Sequence, residues 1–248
     1  MRRPNQNGFR PGRSTTQQIQ VLRRIIEECS IKKDLNCVVS FIDFNKAFDY
    51  ISRQKLKEIL LAYGIPEKVV ALVMIFYIGT TAQVITPDGP SEEFDISAGV
   101  LQGDTLAPFI FVIVVDYVLR NNIIETGEEV GFTTVPRKSR RCPAKYITDL
   151  DFADDIALLS DDKEKAQRLL LSTEEWALSV GLCINKSKTE CMNVGQTTND
   201  QTTLQVREGD IKEVEDFKYL GSWVKSSSKD FYIRRAQAFD ASERMWQV

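Results

Sequence analysis

The sequence Phe152-Ala153-Asp154-Asp155 places two consecutive carboxylates between two apolar runs, residues 146–152 and 156–159. This pattern predicts a β-hairpin with the acids at its turn, because short apolar runs on both sides of a polar pair are typical of paired strands. Aspartate is also a favoured turn residue, so turn formation alone explains the pair equally well. A functional interpretation needs a second acidic site.

Another carboxylate follows a second apolar run. Residues 37–42 are predicted to form a buried strand, and Asp43 comes directly after it in the motif Ser40-Phe41-Ile42-Asp43-Phe44-Asn45-Lys46-Ala47-Phe48-Asp49. If the two strand ends meet in one sheet, Asp43 and Asp154 can hold the paired Mg²⁺ ions of phosphoryl transfer, about 3.5–4 Å apart. The alternative is that both are solvated acids at strand ends.

A third motif lies between the two carboxylate sites: Ala98-Gly99-Val100-Leu101-Gln102-Gly103-Asp104-Thr105-Leu106-Ala107-Pro108. The order of the three segments resembles the reverse transcriptase domain of retrotransposons without long terminal repeats. The resemblance covers nearly the whole chain. It also includes Asn7-Gly8-Phe9-Arg10-Pro11-Gly12-Arg13-Ser14-Thr15, Gly181-Leu182-Cys183-Ile184-Asn185, Lys188-Thr189 and Phe217-Lys218-Tyr219-Leu220-Gly221.

The order of predicted elements is strand, two helices, hairpin, helix, hairpin, helix and short strands. It indicates an α+β fold in which an antiparallel sheet is backed by helices. The resemblance makes this sheet the palm of a polymerase, with partial fingers. We expect a single reverse transcriptase-like domain over residues 1–248, with the upstream fingers and most of the thumb absent. We therefore also expect little or no polymerase activity from this chain alone.

The charge of the chain is uneven. The formal net charge is -3, yet residues 1–26 contain six arginines and no acid, so residues 27–248 carry 26 basic and 35 acidic side chains, a net of -9. A second basic cluster, Arg137-Lys138-Ser139-Arg140-Arg141, lies between the central motifs. A solvated loop and a phosphate contact explain this cluster equally well.

The composition excludes several chemistries. Histidine is absent, which excludes Ser-His-Asp and Cys-His catalysis and any histidine-ligated metal. The five cysteines are odd in number and contain no Cys-x-x-Cys pair, which disfavours a disulfide framework and a zinc site. The longest apolar run, residues 109–115, is much shorter than the roughly 20 residues of a membrane span. With no secretory pattern, the sequence predicts an intracellular protein that does not enter membranes.

The resemblance implies roles for the acidic residues. Asp43 and Asp154 become the main metal ligands. Asp155 becomes a supporting ligand, because successive strand residues point to opposite faces. Lys188 resembles the lysine beside the leaving pyrophosphate, although a plain surface lysine explains it almost as well. We assign the remaining nearby acids to solvent or helix caps: Asp149, Asp151, Asp161 and Asp162.

The resemblance also implies nucleotide-binding positions. Phe48, five residues after Asp43, matches the aromatic side chain that lies beneath the incoming sugar and excludes ribonucleotides, and core packing is its alternative explanation. Gln102 and Gly103 match the segment over the nascent base pair, where a glycine turn without a ligand is the alternative. The other nucleotide-binding candidates are Phe44, Arg10 and Arg13.

A hairpin that holds the primer is expected near the C-terminal end of the resemblance. It comprises Phe217, Lys218, Tyr219, Leu220 and Gly221, and buried aromatic packing is its alternative role. The function implied is an RNA-directed DNA polymerase that uses two Mg²⁺ ions, an RNA template, a DNA primer and deoxynucleoside triphosphates. The alternatives are a truncated, non-catalytic remnant that folds or binds nucleic acid, and a two-metal nuclease, which leaves Phe48 and Gln102 without a role.

Overall fold

The computed structural model describes residues 3–101, 103–195 and 202–245. The helices are α1 Thr15–Ile31, α2 Ala47–Tyr50, α3 Arg53–Ala62, α4 Glu67–Ile75, α5 Ala107–Thr126, α6 Lys163–Ser179 and α7 Ser227–Met245, with a 3₁₀ turn at Glu128–Val130. The strands are β1 Cys37–Ile42, β2 Thr81–Ala82, β3 Ile85–Thr86, β4 Gly89–Pro90, β5 Phe94–Asp95, β6 Phe132–Val135, β7 Lys145–Ile147, β8 Asp149–Phe152, β9 Asp155–Ser160, β10 Glu190–Val194, β11 Gln205–Val206, β12 Gly209–Asp210, β13 Lys212–Glu213, β14 Lys218–Tyr219 and β15 Ser222–Trp223.

A five-stranded sheet organises the fold, with the order β13-β10-β1-β9-β8. All its pairs are antiparallel except β10 with β13. Strand β1 occupies the centre, and all six of its residues are buried. A continuous apolar run fits this position, because both faces of a central strand are covered.

The two faces of the sheet belong to two hydrophobic clusters. One face, with Val38 and Ile42 of β1, packs on α3, α5 and α6. The other face, with Val39 and Phe41, packs on α1 and on the hairpin formed by β14 and β15. The site described below lies at the end of β1, on the side of this second face.

Helix α5 is apolar around most of its circumference and lies in the core. By length and composition alone it could cross a membrane, but 56% of its most apolar 18-residue stretch is buried inside the protein. Burial inside the protein accounts for its composition. Its one fully buried acid, Asp116, accepts hydrogen bonds from the backbone N–H of Arg3 and the hydroxyl of Tyr63.

Candidate active site

The register of the central sheet brings two of the predicted acids together. Ile42 pairs with Ile156 across β1 and β9, so Asp43 and Asp155 come next and lie opposite each other. Residues directly opposite in an antiparallel pair point to the same face. For these two acids it is the face of Phe41, towards the β14–β15 hairpin.

Asp154 lies in the turn that joins β8 and β9. Phe152 pairs with Asp155, which leaves a two-residue loop of Ala153 and Asp154. Ala153 has a φ of 60°, in the left-handed region, and Asp154 is exposed. A positive φ at the first loop residue alone is the pattern of a type II′ hairpin turn. The turn therefore presents the Asp154 carboxylate to solvent beside Asp43 and Asp155.

Lys188 reaches the carboxylates from a neighbouring turn. Its Nζ lies 3.8 Å from Oδ1 of Asp43. The turn is fixed to the end of β1, because Asn185 N–H donates to the Asp43 carbonyl at 2.8 Å and Asp43 N–H donates to the hydroxyl of buried Thr189 at 3.3 Å. The backbone thus sets the position of Lys188, while its side chain is 68% exposed.

The predicted primer-holding segment lies next to these residues. Phe217 stacks on Phe41 with ring centroids 3.8 Å apart, and buried Tyr219 donates its hydroxyl hydrogen bond to the Leu150 carbonyl at 2.8 Å. Leu220 and Gly221, both at positive φ, form the tight turn of the β14–β15 hairpin. A cavity of about 60 Å³ lies between the hairpin and the acids, lined by Phe41, Ile42, Asp43, Asp155, Ile156, Lys188, Phe217 and Tyr219.

The acids perturb one another. Partial burial raises the pKa of Asp43, which Lys188 opposes and Asp154 reinforces. The carboxyl of Asp155 is partly desolvated although the residue is exposed, which raises its pKa to about 6, and the charges of Asp154 and Asp43 act in the same direction. Three mutually repelling carboxylates would be stabilised by a bound cation.

The residues present fit a Mg²⁺ site of the kind completed by substrate. Among the described residues no three acidic, cysteine or histidine side chains form a ready-made metal cluster. Mg²⁺ in phosphoryl transfer needs only one or two carboxylates, with waters and substrate phosphates completing the octahedron. Oδ1 of Asp43 is shielded from solvent and, among the described residues, has no hydrogen-bond partner, because Lys188 Nζ at 3.8 Å is too far to donate one; its lone pairs therefore remain available to a cation.

The predicted nucleotide-binding residues other than the arginines differ in their burial. Phe48 is half-buried and stacks on Phe111 with centroids 4.6 Å apart, and its carbonyl accepts from Val100 N–H at 2.7 Å. Phe44 is 8% exposed and belongs to the core, so it can meet a nucleotide only through its backbone. Gly103 is exposed, with a φ of 94°. Gln102 lies outside the described residues.

Arg53 is a structural residue that the sequence patterns did not reveal. Its guanidinium donates to the carbonyls of Tyr77, Ile96 and Gly99 at 2.6–3.0 Å. It thereby ties the segment before Gln102 to α3. At the first position of a helix, an arginine that turns back onto loops has no local sequence signal.

The assignment of Asp149 and Asp151 to solvent or caps was wrong. Both are buried, and both contact the guanidinium of Arg3, at 2.8 and 2.7 Å. The prediction failed because the partner lies 146 and 148 positions away in sequence. Asp162 does cap α6, accepting from Lys165 N–H at 2.8 Å, whereas half-buried Asp161 accepts from Thr133 at the start of β6.

The predicted phosphate-binding arginines lie near the turn but outside the cavity. Gly8 approaches Ala153 so closely that a Cβ on Gly8 would lie 2.4 Å from the Ala153 nitrogen. Arg10 follows two residues later and donates to the Arg3 carbonyl at 3.4 Å, and Arg13 is exposed. The second basic cluster is exposed on the β6–β7 hairpin.

A mainly antiparallel sheet backed by helices, with acids grouped at the ends of its central strands, is the arrangement of the palm-type polymerases. The comparison with protein families places the chain further. Residues 2–224 match the family described as "Reverse transcriptase (RNA-dependent DNA polymerase)". The chain belongs to the reverse transcriptase family, in the branch of non-LTR retrotransposons.

Retrotransposon polyproteins are among the most similar curated relatives. The polyprotein of the type-2 element R2DM of Drosophila melanogaster is 30% identical over 230 residues, which cover 88% of this chain and 20% of the relative. That of the type-1 element R2 of Popillia japonica is 28% identical, with coverage of 86% and 35%. The chain therefore spans about a fifth to a third of the length of these relatives.

Solved telomerase structures share the fold. Apo telomerase from Candida tropicalis, truncated from its C-terminal domain, superposes with a TM-score of 0.59 at 14% identity, covering 89% of this chain and 40% of that one. Telomerase from the same organism in complex with a fragment of telomeric RNA gives a TM-score of 0.55 at 14% identity, with coverage of 82% and 31%. Both confirm the predicted palm-like α+β fold.

Proposed function

We propose that this chain is the core of an RNA-directed DNA polymerase that extends a DNA primer on an RNA template. The observation that carries the proposal is the grouping of Asp43, Asp155 and Lys188 beside the β14–β15 hairpin, with Asp154 on the adjoining turn. The residues and the hairpin come from four separate segments of the sequence. Family membership and the RNA-bound telomerase neighbour support the choice of template.

Asp43 and Asp154 would be the main ligands of two Mg²⁺ ions, with Asp155 in support. The ions would supply the activation of the primer 3′-hydroxyl and the stabilisation of charge on the departing pyrophosphate. Lys188 is placed to offset negative charge on the pyrophosphate or to donate a proton to it. Asp155 would be the supporting ligand, because burial and the charges of Asp154 and Asp43 raise its pKa to about 6, and protonation then competes with metal binding.

The remaining residues would position substrates. Phe48 would lie beneath the sugar of the incoming deoxynucleoside triphosphate, held by its stack on Phe111. Gln102 and Gly103 would lie over the nascent base pair, and residues 217–221 would hold the primer end. Arg10 and Arg13, with the backbone of Phe44, would contact phosphates. We further propose that residues 1–248 form one reverse transcriptase-like domain of an intracellular protein.

The alternative is a non-catalytic remnant that binds nucleic acid without polymerising. The net charge of -9 over residues 27–248 favours it, because an acidic body repels phosphate at low salt. The same charge is the physical reason to expect weak activity from the chain alone.

The test is extension of a DNA primer annealed to RNA, with Mg²⁺ and deoxynucleotides, by the wild type and by Asp43→Asn, with binding to the primed RNA measured separately. Extension by the wild type that Asp43→Asn abolishes without loss of binding would support polymerase function. Binding by the wild type without extension would favour the remnant. Template cleavage in place of extension would favour the two-metal nuclease.

A further inference from the structure

The carboxylate-bearing turn has an unusual backbone requirement. Ala153, at the first loop position, adopts a φ of 60°, a conformation that glycine accepts and that is strained for residues with a Cβ. Ala153 is also buried at 9% exposure, and as a loop residue it lies outside the strand pairing of β8 and β9. Its N–H and C=O therefore need partners from elsewhere.

One side chain satisfies both groups. The carboxamide oxygen of Gln6 accepts from Ala153 N–H at 3.0 Å, and its Nε2 donates to the Ala153 carbonyl at 3.4 Å. The same oxygen accepts from Gly8 N–H at 2.7 Å. Gln6 is fully buried, so water does not compete for these bonds. Its amide is thus committed to the residue immediately before Asp154.

The segment that carries Gln6 is attached to β8 by an isolated bridge and by hydrogen bonds. Gln6 forms a parallel bridge with Asp151, and Asn7 N–H donates to the Asp151 carbonyl at 2.9 Å. Buried Gln18 of α1 donates to the carbonyls of Asn5 and Asp151, at 2.7 and 2.9 Å. Arg3 adds ion pairs to both acids of β8. The position of Gln6 is therefore fixed from several sides.

We propose that Gln6 is a positioning residue that holds the turn in the conformation that presents Asp154 and Asp155. This rests on the proposed function for its consequence, but the contact itself is independent of any activity. The Gln6 side chain bonds both backbone groups of Ala153, its N–H and its C=O, and these bonds fix the conformation of the turn. Core packing alone requires neither bond.

Gln18 offers a matched control. It is also a buried glutamine that donates to two carbonyls in the same region, yet it contacts the strand and not the turn. Gln6→Met and Gln18→Met keep the length of the side chain and remove its hydrogen bonds. If Gln6 only stabilised the fold, both variants would show the same rate of amide exchange at the turn once their global stabilities are matched.

The first measurement is amide hydrogen exchange at Ala153 and Asp154, compared at matched global stability. We expect Gln6→Met to accelerate exchange at least about tenfold at the turn, since the loss of a hydrogen bond of about 1.4 kcal/mol corresponds to that factor, and Gln18→Met to leave the turn unchanged. Gln6→Asn keeps the carboxamide but is one methylene too short to bond both backbone groups of Ala153, and should lie between. If Gln6→Met fails to fold, Gln6→Asn against Gln18→Asn carries the comparison. Equal exchange in the glutamine variants would overturn the proposal.

The second measurement is rescue by Ala153→Gly, since glycine adopts the positive φ without a clamp. Ala153→Gly should recover more of the turn's exchange protection in the Gln6→Met background than it adds in the Gln18→Met background, and equal increments would overturn the proposal.

The third measurement is Mn²⁺ affinity by electron paramagnetic resonance, and we expect this affinity to weaken at least threefold in Gln6→Met and not in Gln18→Met. Unchanged affinity in both would refute positioning. A wild type that binds no Mn²⁺ would count against the proposed function, and the exchange data would still decide whether Gln6 holds the turn.

Discussion

Asp43 and Asp155 lie opposite each other at the ends of β1 and β9, immediately after the pair Ile42 and Ile156. Both line the cavity that Lys188 and Phe217 also line. Asp154 belongs to the same charge cluster through the turn, since its charge raises the pKa of both neighbours. Substituting each of the three acids in turn can therefore distinguish their roles.

The metal proposal predicts that Asp43→Asn and Asp154→Asn each lower primer extension by more than about 100-fold, because each removes several kcal/mol of metal-dependent transition-state stabilisation. Mg²⁺ affinity, measured by calorimetry on the free protein, should fall in parallel while the unfolding temperature does not. Asp155→Asn should retain more activity than Asp154→Asn. Identical metal titrations for wild type and both variants would disprove the ligand assignment, and the reverse ranking would make Asp155 the main ligand.

The raised pKa of Asp155 predicts a pH-dependent effect on stability. A carboxyl whose folded pKa is about 6 and whose ordinary value is 3.8 stabilises the fold below pH 3.8, and this contribution is lost as the pH rises through 6. Without divalent ions, Asp155→Asn should therefore raise the melting temperature at pH 8 and change it little at pH 3.5. Asp88→Asn, on the exposed β3–β4 turn, controls for net charge. A shift of equal size at both pH values would contradict the prediction.

Phe48 should act as a steric filter for the sugar. Phe48→Val should raise the use of ribonucleotides relative to deoxynucleotides by about 10- to 200-fold, the range that a steric difference in a pocket supplies. Phe111→Leu is the control, because it disrupts the same ring stack without opening the site. If both variants change the ratio equally, or neither does, Phe48 is a core residue.

The basic β6–β7 hairpin should contribute to nucleic-acid binding. Residues 133–148 contain Arg137, Lys138, Arg140, Arg141 and Lys145 and no acid. Replacing Arg140 and Arg141 by glutamine should weaken binding to primed RNA and reduce the slope of log affinity against log salt by about 1 for each phosphate that is no longer neutralised. Replacing exposed Lys57 and Lys68 on α3 and α4 by glutamine controls for net charge. If the two pairs of replacements weaken binding equally, the basic hairpin makes no specific phosphate contact and is a solvated loop.

Local pattern predicted much of the architecture and failed where contacts are distant in sequence. The bounds of β1, Cys37–Ile42, follow from one apolar run, and burial of α5 follows from its composition. In β8, the alternation of Asp149, Leu150 and Asp151 predicts an outward acidic face, yet both acids are buried against the guanidinium of Arg3, which also contacts Asp116 of α5. The grouping of Asp43 with Asp155 depends on register, which no single segment encodes.

Residues 182–184 show the same limit on a smaller scale. Their apolar side chains predict a short strand, but only Ile184 pairs, in an isolated bridge with Phe44. Backbone bonds from Asn45 and Asn185 then fasten this segment to the end of β1. These hydrogen bonds to the end of β1, more than the β-propensity of residues 182–184, decide the conformation of the segment.

The buried cluster around Arg3 gives the sharpest prediction about stability. Burial raises the pKa of Asp151 well above its usual range, and the neighbouring Asp149 adds to this, whereas Arg3 and the proton on Asp151 hold the pKa of Asp149 low against its burial. Oδ2 of Asp149 and Oδ1 of Asp151 have no hydrogen-bond partner in the described residues, and a proton shared between the two carboxyl groups would satisfy both. We therefore expect Asp149 to be the ionised member of the pair.

Arg3→Met should therefore cost about 3–5 kcal/mol of unfolding free energy at pH 7, because it leaves buried carboxylate charge without its partner. Asp149→Asn should cost less than Arg3→Met but more than Asp151→Asn, since it removes one carboxylate from the guanidinium and leaves it Asp116, 3.4 Å away. Asp151→Asn replaces a neutral acid by a neutral amide that still donates to Asp149, and should cost less than about 1.5 kcal/mol. Urea unfolding of the three variants checks the order. A larger loss for Asp151→Asn than for Asp149→Asn would show that the proton lies on Asp149.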